Sequence, residues 1–194
     1  MEKKQSLDSQ YFKDIYEANE DPWNFETSEY EAGKYAATIS VLPKQHYNKT
    51  LEIGCSIGVL TQLLAQKSNF LLATDISQKA LDLASRRCAN LNNISFKKLN
   101  FKDELPDDRY DLIMVSEVAY YLSPADWQMV ITKLYEKLNF NGNIVLVHWL
   151  PEVHDYPQTG DEVHSSFEKI MQDRMSNVFS ARAENYRIDV WEKA

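Results

Sequence analysis

The sequence predicts an α/β fold with a mostly parallel sheet, and three observations predict it. Short apolar runs alternate with stretches of helical periodicity between Thr50 and His148, the pattern of consecutive βαβ units. A glycine-containing turn, Gly54-Cys55-Ser56-Ile57-Gly58, joins the first of these runs to a helix. The chain then closes with one further helix and two runs separated by Glu184-Asn185, which read as an antiparallel hairpin.

Each element has its own signal. Before the first strand, Leu7–Ala18 and Glu29–Leu42 read as helices. Between them, Asp21-Pro22-Trp23-Asn24-Phe25-Glu26-Thr27-Ser28 is either a loop that packs its aromatics on the domain or a lid that excludes water from a ligand. Thr50–Ile53 is a short apolar strand, followed by a helix at Val59–Ala65. Phe70–Ala73 is the second strand, ending on Thr74-Asp75, and Ser77 is the N-cap of a helix over Gln78–Ala89. Ile94–Lys98 alternates as a third strand, and Asp111–Val115 is a buried fourth. Ser123-Pro124 opens a helix that runs to Leu138. Asn141-Gly142-Asn143 ends that helix and turns into the fifth strand, Ile144–His148. After a loop at His154–Gly160, Thr159 and Glu162 have capping-box spacing for a helix to Met175. Val178–Ala183 and Tyr186–Trp191 are the hairpin strands. The whole reads as one domain over residues 1–194, with 1–45 as an N-terminal helical or lid segment and 46–194 as the core.

Composition narrows the function classes. The chain has 194 residues and is 44% apolar, enough for one sizeable core. Its formal net charge of -8 argues against a nucleic-acid partner, which favours a basic stripe. That charge suits a neutral or cationic small substrate, or simply a solvated surface. Cys55 and Cys88 are too few for a disulfide framework, so a reducing cytoplasm is expected. Met1–Gln10 lacks the apolar region of a secretory signal, and no run is long enough to span a bilayer, so no membrane partner is expected. His46, His148, His154 and His164 form no close His-x-x-x-His pair and neither cysteine adjoins a histidine, so no metal site is expected.

The turn after the first strand carries the chemistry. Small residues let backbone approach a ligand, and Gly54, Ser56 and Gly58 supply them at alternate positions around Cys55. A nicotinamide enzyme would show G-x-G-x-x-G, which brings a pyrophosphate to a helix N-terminus. Here Glu52 lies inside the strand, where a carboxylate is costly unless paired and repels a pyrophosphate. It favours a cation, as in the ammonium and sulfonium of S-adenosylmethionine; the alternative is a lysine partner or a backbone cap. Asp75, with Ile76 beside it, stands at the end of the second strand, where a carboxylate accepts both ribose hydroxyls. After the third strand, Asn100 can accept from an adenine amino group with Phe101 against the ring, or belong to a surface turn.

Further candidates lie where later strands end. Ser116 and Glu117 fall at the carboxyl edge of the fourth strand, the ligand edge of an open α/β sheet. Tyr120 and Tyr121 follow, either lining a pocket or packing in the core. Tyr30 and Lys34 lie one helical turn apart after the aromatic segment, where an ordinary salt bridge or a solvent-facing lysine is one reading.

Taken together, Glu52-x-Gly54-x-Ser56-x-Gly58, Asp75 and Tyr110-Asp111-Leu112-Ile113 resemble class I S-adenosylmethionine-dependent methyltransferases. Asp21–Glu31, Lys34-Tyr35, Gly54–Thr61, Ser116-Glu117-Val118-x-Tyr120-Tyr121-Leu122 and Gly160-Asp161-Glu162-Val163-His164 resemble the nodulation protein S (NodS) family. The resemblance implies a Rossmann-like, seven-stranded, mostly parallel sheet with the last strand antiparallel, helices on both faces and an N-terminal helical lid. It also implies N-methylation of a free amine on a glucosamine-containing oligosaccharide, with S-adenosylhomocysteine as the second product. Resemblance to families that use the helix after the aromatic segment implies a contact of Tyr30 and Lys34 with the cofactor carboxylate, the alternative to the salt bridge or solvent-facing lysine.

Methyl transfer from a sulfonium is an in-line displacement in which a protein chiefly positions two reactants. An amine acceptor is protonated at neutral pH, so some group must take its proton. Glu117 and His148 rank first as catalytic groups because both sit at strand ends, and His164 follows. His148 is equally readable as hydrogen-bonded framework. Asp155 and Asp161 could meet an ammonium, and Trp23, Trp149 and Tyr156 could meet sugar faces. Asp161 also opens a helix, where an acid is favourable without any catalytic duty. The competing functions are an O-methyltransferase on another small metabolite, a cofactor-binding protein without turnover and, more remotely, a nicotinamide-dependent oxidoreductase.

Overall fold

Seven strands form one sheet in the order β3-β2-β1-β4-β5-β7-β6 in the computed structural model, which describes residues 5–194. Met1–Lys4, the start of the segment expected not to be a secretory signal, lie outside the described residues. The strands are β1 (Tyr47–Ile53), β2 (Ser68–Asp75), β3 (Ile94–Lys98), β4 (Tyr110–Ser116), β5 (Leu138–Trp149), β6 (Met175–Arg182) and β7 (Tyr186–Lys193). This is the expected mostly parallel sheet, with the last strand antiparallel to its neighbours β5 and β6. The chain divides into two compact units, residues 8–100 and residues 101–194 with the short segment before residue 8.

In residues 8–100, β1, β2 and β3 pair in parallel. α1 (Ser9–Ala18) starts at Asp8, whose carboxylate accepts the Gln10 and Tyr11 N–H groups at 3.0 Å. It buries Phe12 and Tyr16, four residues apart on one face. α2 (Glu29–Ser40) is capped by Ser28, and α4 (Gln78–Arg87) by Ser77, as expected. α3 (Val59–Ala65) begins directly from Gly58. Cys55, Ala73, Leu81 and Ala84 form a small-residue core, with Ile94 and Phe96 packed against it. A Cβ at Gly58 would lie 3.0 Å from both the Cα and the Cβ of Ala84, so the approach of α4 to the turn requires glycine there.

In residues 101–194, β4 and β5 pair in parallel and are buried along most of their length, as strands covered on both faces are. α5 (Pro124–Lys137) and α6 (Gly160–Met171) supply Trp127 and Phe167, which pack with Trp191 of β7. The Trp127 indole N–H donates to the Val163 carbonyl at 3.0 Å, which satisfies the one polar atom that ring buries. α6 carries the expected capping box between Thr159 and Glu162.

Several boundaries differ from the sequence reading, three of them for a clear physical reason. Asn141-Gly142-Asn143 does not stop a helix: α5 ends at Lys137 and β5 begins at Leu138. Asn141 takes φ 58° inside the strand, and the register with β4 shifts between Tyr110 and Leu112, so Asn-Gly makes a bulge. α6 ends at Met171 because Met175 already pairs with Lys193 in the sheet. β1 reaches back to Tyr47, through polar residues that hide the strand in an apolar pattern. No helix among the described residues is long and apolar enough to cross a membrane.

Candidate active site

Within residues 8–100, the turn after β1 is left-handed at alternate positions, with φ 76° at Gly54, 49° at Ser56 and 84° at Gly58. A non-glycine residue resists that conformation, so Ser56 must be held. Its N–H donates to Asp75 Oδ2 at 2.9 Å, and its hydroxyl lies 2.6 Å from the Tyr16 hydroxyl. The Gly54 and Cys55 N–H groups both donate to the Thr74 carbonyl, at 2.8 and 2.9 Å. The end of β2 therefore fixes the whole turn. Asp75 Oδ1 accepts the Ser77 N–H at 2.8 Å. Burial pushes the Asp75 carboxyl up to about 6, opposed by the Ser77, Ser56 and Ile76 N–H groups.

Glu52 is 1% exposed, and its Oε2 has no hydrogen-bond partner. Burial pushes its carboxyl up to about 8; Thr61 is near enough to lower it in part, and Asp75 adds repulsion. The Thr61 hydroxyl is itself without a partner of proper hydrogen-bond geometry. A buried carboxylate oxygen left without a partner is uncommon, and points to a polar ligand. Cys55 and Cys88 are both free and buried, and burial raises both thiols, so neither is a reactive thiolate.

The aromatic segment lies on this turn. Trp23 stacks on Phe25 at 5.5 Å, and both pack against Tyr16, Ile57 and Ala80. The Asp21 carboxylate accepts the Phe25 and Glu26 N–H groups at 2.8 and 3.0 Å. Arg87 donates to the Ile57 carbonyl at 2.8 Å and pairs with Glu26 at 3.1 Å, tying the segment to the glycine turn. Lys34 is 2% exposed, 2.9 Å from the Glu31 carboxylate and 5.6 Å above the Tyr30 ring. Asn100 is half-buried, one residue beyond Leu99, whose N–H donates to the Asp75 carbonyl at 2.9 Å.

Within residues 101–194, Ser116 ends β4 and Glu117 turns sharply away from it with φ 56°. The Glu117 N–H donates to the Val147 carbonyl at 2.8 Å, which anchors the turn to β5. Glu117 Oε2 accepts from the Tyr120 hydroxyl at 2.7 Å and from the Trp149 N–H at 2.8 Å. Tyr120 lies on a short 3-10 turn, Ala119–Tyr121. Its ring stacks on Tyr156 at 4.9 Å, and Tyr121 meets both edge-on. The Gln158 amide donates to the Leu122 carbonyl at 2.8 Å, holding the loop before α6 against this turn. Phe101 and Trp149 are half-buried; Asp155 is exposed. Asp161 pairs with Arg182 at the surface.

His148 and His164 are both fully buried. His148 Nε2 accepts the Ala119 N–H at 3.2 Å, and its Nδ1 lies 3.1 Å from His164 Nε2. His164 Nδ1 lies 2.7 Å from Asp189 Oδ2. All four ring nitrogens are thus occupied within the fold. Glu117, Tyr120, Tyr121, Tyr156 and His148 come together, whereas Asp155 and Asp161 do not join them. Sequence reasoning missed Tyr16, Thr61, Asp189 and Arg187. Only Tyr16 left a trace, as the partner of Phe12 on an amphipathic face. Among the described residues, no group of three or more His, Cys, Asp or Glu is placed to hold a metal ion.

The nodulation protein S (NodS) family model matches residues 7–147. The chain belongs to the NodS family. That match takes in the aromatic segment, the glycine turn and the Ser116–Leu122 block, and ends before Gly160–His164. The nodulation protein S of Bradyrhizobium diazoefficiens is 30% identical over 106 residues, 54% of this chain and 51% of that protein. The chain spans about half the length of the curated NodS relatives it matches. A solved structure of a putative methyltransferase from Pseudomonas syringae is 28% identical, with a TM-score of 0.76 over 86% of this chain and all of that one. The fold is also that of the N-methyltransferase NodS from Bradyrhizobium japonicum WM9, solved with S-adenosyl-L-homocysteine, with a TM-score of 0.82 at 20% identity over 96% of this chain and 99% of that one.

Proposed function

We propose that this NodS-family chain is an S-adenosylmethionine-dependent methyltransferase, working as a single catalytic domain, that N-methylates a small amine such as a glucosamine-containing oligosaccharide. The observation that carries the cofactor is Glu52, a buried acid with an unpartnered oxygen beside the glycine turn. A cation is the ligand such a group lacks. Bound S-adenosylmethionine would supply an electrophilic methyl on a sulfonium.

The chain's own residues would do the rest. Glu52 takes the cofactor's amino-acid cation, and Lys34 with Tyr30 its carboxylate. Asp75 uses one lone pair of each oxygen on backbone and keeps others for ribose hydroxyls. Gly54, Cys55, Ser56 and Gly58 admit the ligand to backbone, and Trp23 covers it. Ile76, Asn100 and Phe101 serve the adenine, and Ser116 and Glu117 the remaining edge.

On the acceptor side, Glu117 takes the proton that the amine must lose, its carboxylate aimed by Tyr120 and the Trp149 N–H. His148 and His164 orient rather than exchange protons, because their nitrogens are already engaged. Tyr120, Tyr121, Trp149 and Tyr156 present aromatic surface to a sugar ring, and Asp155 and Asp161 add negative charge for a cationic substrate. Two free buried thiols suit a reducing cytoplasm. A methyl-transfer screen over amines, amino sugars and phenols tests this reading. A glucosamine oligomer that gains one methyl on nitrogen is the expected result; methylation of phenols alone overturns the amine assignment.

A further inference from the structure

The groups behind Glu117 form one continuous line. Asp189 of β7 is fully buried and accepts from Ser180 at 2.8 Å and from Arg187 at 2.8 and 3.1 Å. It faces His164 Nδ1 at 2.7 Å, His164 Nε2 faces His148 Nδ1 at 3.1 Å, and His148 Nε2 faces the Ala119 N–H at 3.2 Å. The two ends of this line cannot reverse. A backbone N–H only donates, and a carboxylate paired with arginine only accepts. His148 Nε2 must therefore carry a lone pair and its Nδ1 the proton; His164 Nε2 must accept that proton, and its own Nδ1 proton goes to Asp189. One proton on each ring satisfies every contact.

We propose that Asp189, through His164 and His148, is a positioning residue for the reaction: it fixes the tautomers that hold the Ala119 N–H, and so the turn that carries Tyr120 against Glu117. The role in catalysis rests on Glu117 being the proton acceptor. An extra proton on either ring breaks the line. On His148 it sets Nε2–H against the Ala119 N–H. On His164 it sets two donors between the rings, or flips His148 to the same clash. Arg187 on β7 disfavours such a proton, while Asp189 and, more distantly, Asp161 of α6 favour it, and burial disfavours it most. Glu168 of α6 faces Arg187 at 4.0 Å, and the Tyr120 ring lies 5.3 Å from His148.

The test is nitrogen-15 NMR of the full chain at pH 7, with exchange of the Ala119 amide. Both histidines should be neutral with the proton on Nδ1, and the Ala119 amide should be protected. An Nε2–H tautomer on either ring, or a doubly protonated ring, overturns the inference. In D189N the fixed tautomers should be lost, Ala119 should exchange at least about tenfold faster, and turnover should fall about tenfold with the KM for S-adenosylmethionine unchanged. A folded D189N with wild-type tautomers and exchange overturns it. The wild-type spectrum needs no variant, so it decides even where D189N does not fold. Turnover is read on a glucosamine tetramer. A wild-type enzyme that leaves it unmethylated overturns the proposed acceptor and not this inference, which the tautomers decide.

Discussion

Ser56 donates its backbone N–H to Asp75 Oδ2 at 2.9 Å, so the acid at the end of β2 holds the middle of the glycine turn in a left-handed conformation. The same carboxylate accepts the Ser77 N–H that begins α4. One side chain therefore fixes the turn and the following helix, with lone pairs to spare for a ligand.

D75N cannot keep both bonds, because one end of an amide is a donor. The expected cost is about 1–3 kcal/mol of stability, from a buried N–H left without an acceptor. At roughly 2–4 °C per kcal/mol for a chain of this size, the melting temperature should fall by several degrees. Affinity for S-adenosylhomocysteine should fall at least about tenfold by calorimetry. An unchanged melting temperature and affinity would show that Asp75 holds neither.

Gly58 combines φ 84° with a neighbour 3.0 Å from where a Cβ would sit. Because that neighbour is Ala84 backbone and Cβ, it has no flexible end to move. G58A should cost about 2 kcal/mol or more in urea unfolding, the sum of a left-handed alanine and a forced contact. G33A is the control, since nothing lies within 4 Å of a Cβ there.

Glu52 gives a pH dependence whose sign is fixed. Its folded carboxyl titrates at about 8, against 4.5 for the ordinary group. Between those values the folded chain keeps a proton that the unfolded chain releases, so stability falls as pH rises through the window and levels above it. Asp75 behaves alike up to about 6, and buried His164, held below its ordinary 6.5, acts in the opposite sense below about pH 7, so the slope between about pH 7 and 8 reports Glu52. E52Q should flatten that slope and raise stability at pH 8 by a few kcal/mol, on the order that a buried unpaired charge costs. It should also lose the cofactor. A steeper slope in E52Q than in the wild type would contradict the assignment.

Glu117 and Tyr120 separate chemistry from binding. E117Q should lower turnover by about a hundredfold or more, the usual scale of general base catalysis, while affinity for S-adenosylhomocysteine falls by far less, since Glu117 meets only one edge of the cofactor. Y120F removes the tyrosine bond to the carboxylate and leaves the Trp149 N–H in place, so its turnover should fall by several-fold only. Equal losses in both variants would place the proton elsewhere.

The local signals in the sequence were reliable where neighbours along the chain decide the outcome. Ser77, Ser123 and Thr159 cap the helices they precede, and the Gly54–Gly58 turn leaves β1 as its small residues require. Asn141-Gly142 misled because the same dipeptide serves a turn or a bulge, and only pairing with β4 chooses the bulge. The Asp189–His164–His148–Ala119 line was not legible at all. Its members come from β7, α6, β5 and a 3-10 turn, up to 70 residues apart, and only the sheet order assembles them. The buried state of Lys34 was likewise hidden, because a lysine one turn from Glu31 reads as surface until the helix has a position.

Thermal unfolding with S-adenosylhomocysteine, set against NAD at the same concentration, tests the cofactor most directly. A ligand that binds only the native state at about a hundred times its Kd adds about 2.7 kcal/mol. The melting temperature should therefore rise by roughly 5–10 °C with S-adenosylhomocysteine and stay unchanged with NAD. A clear rise with NAD and none with S-adenosylhomocysteine would contradict the methyltransferase reading at its root.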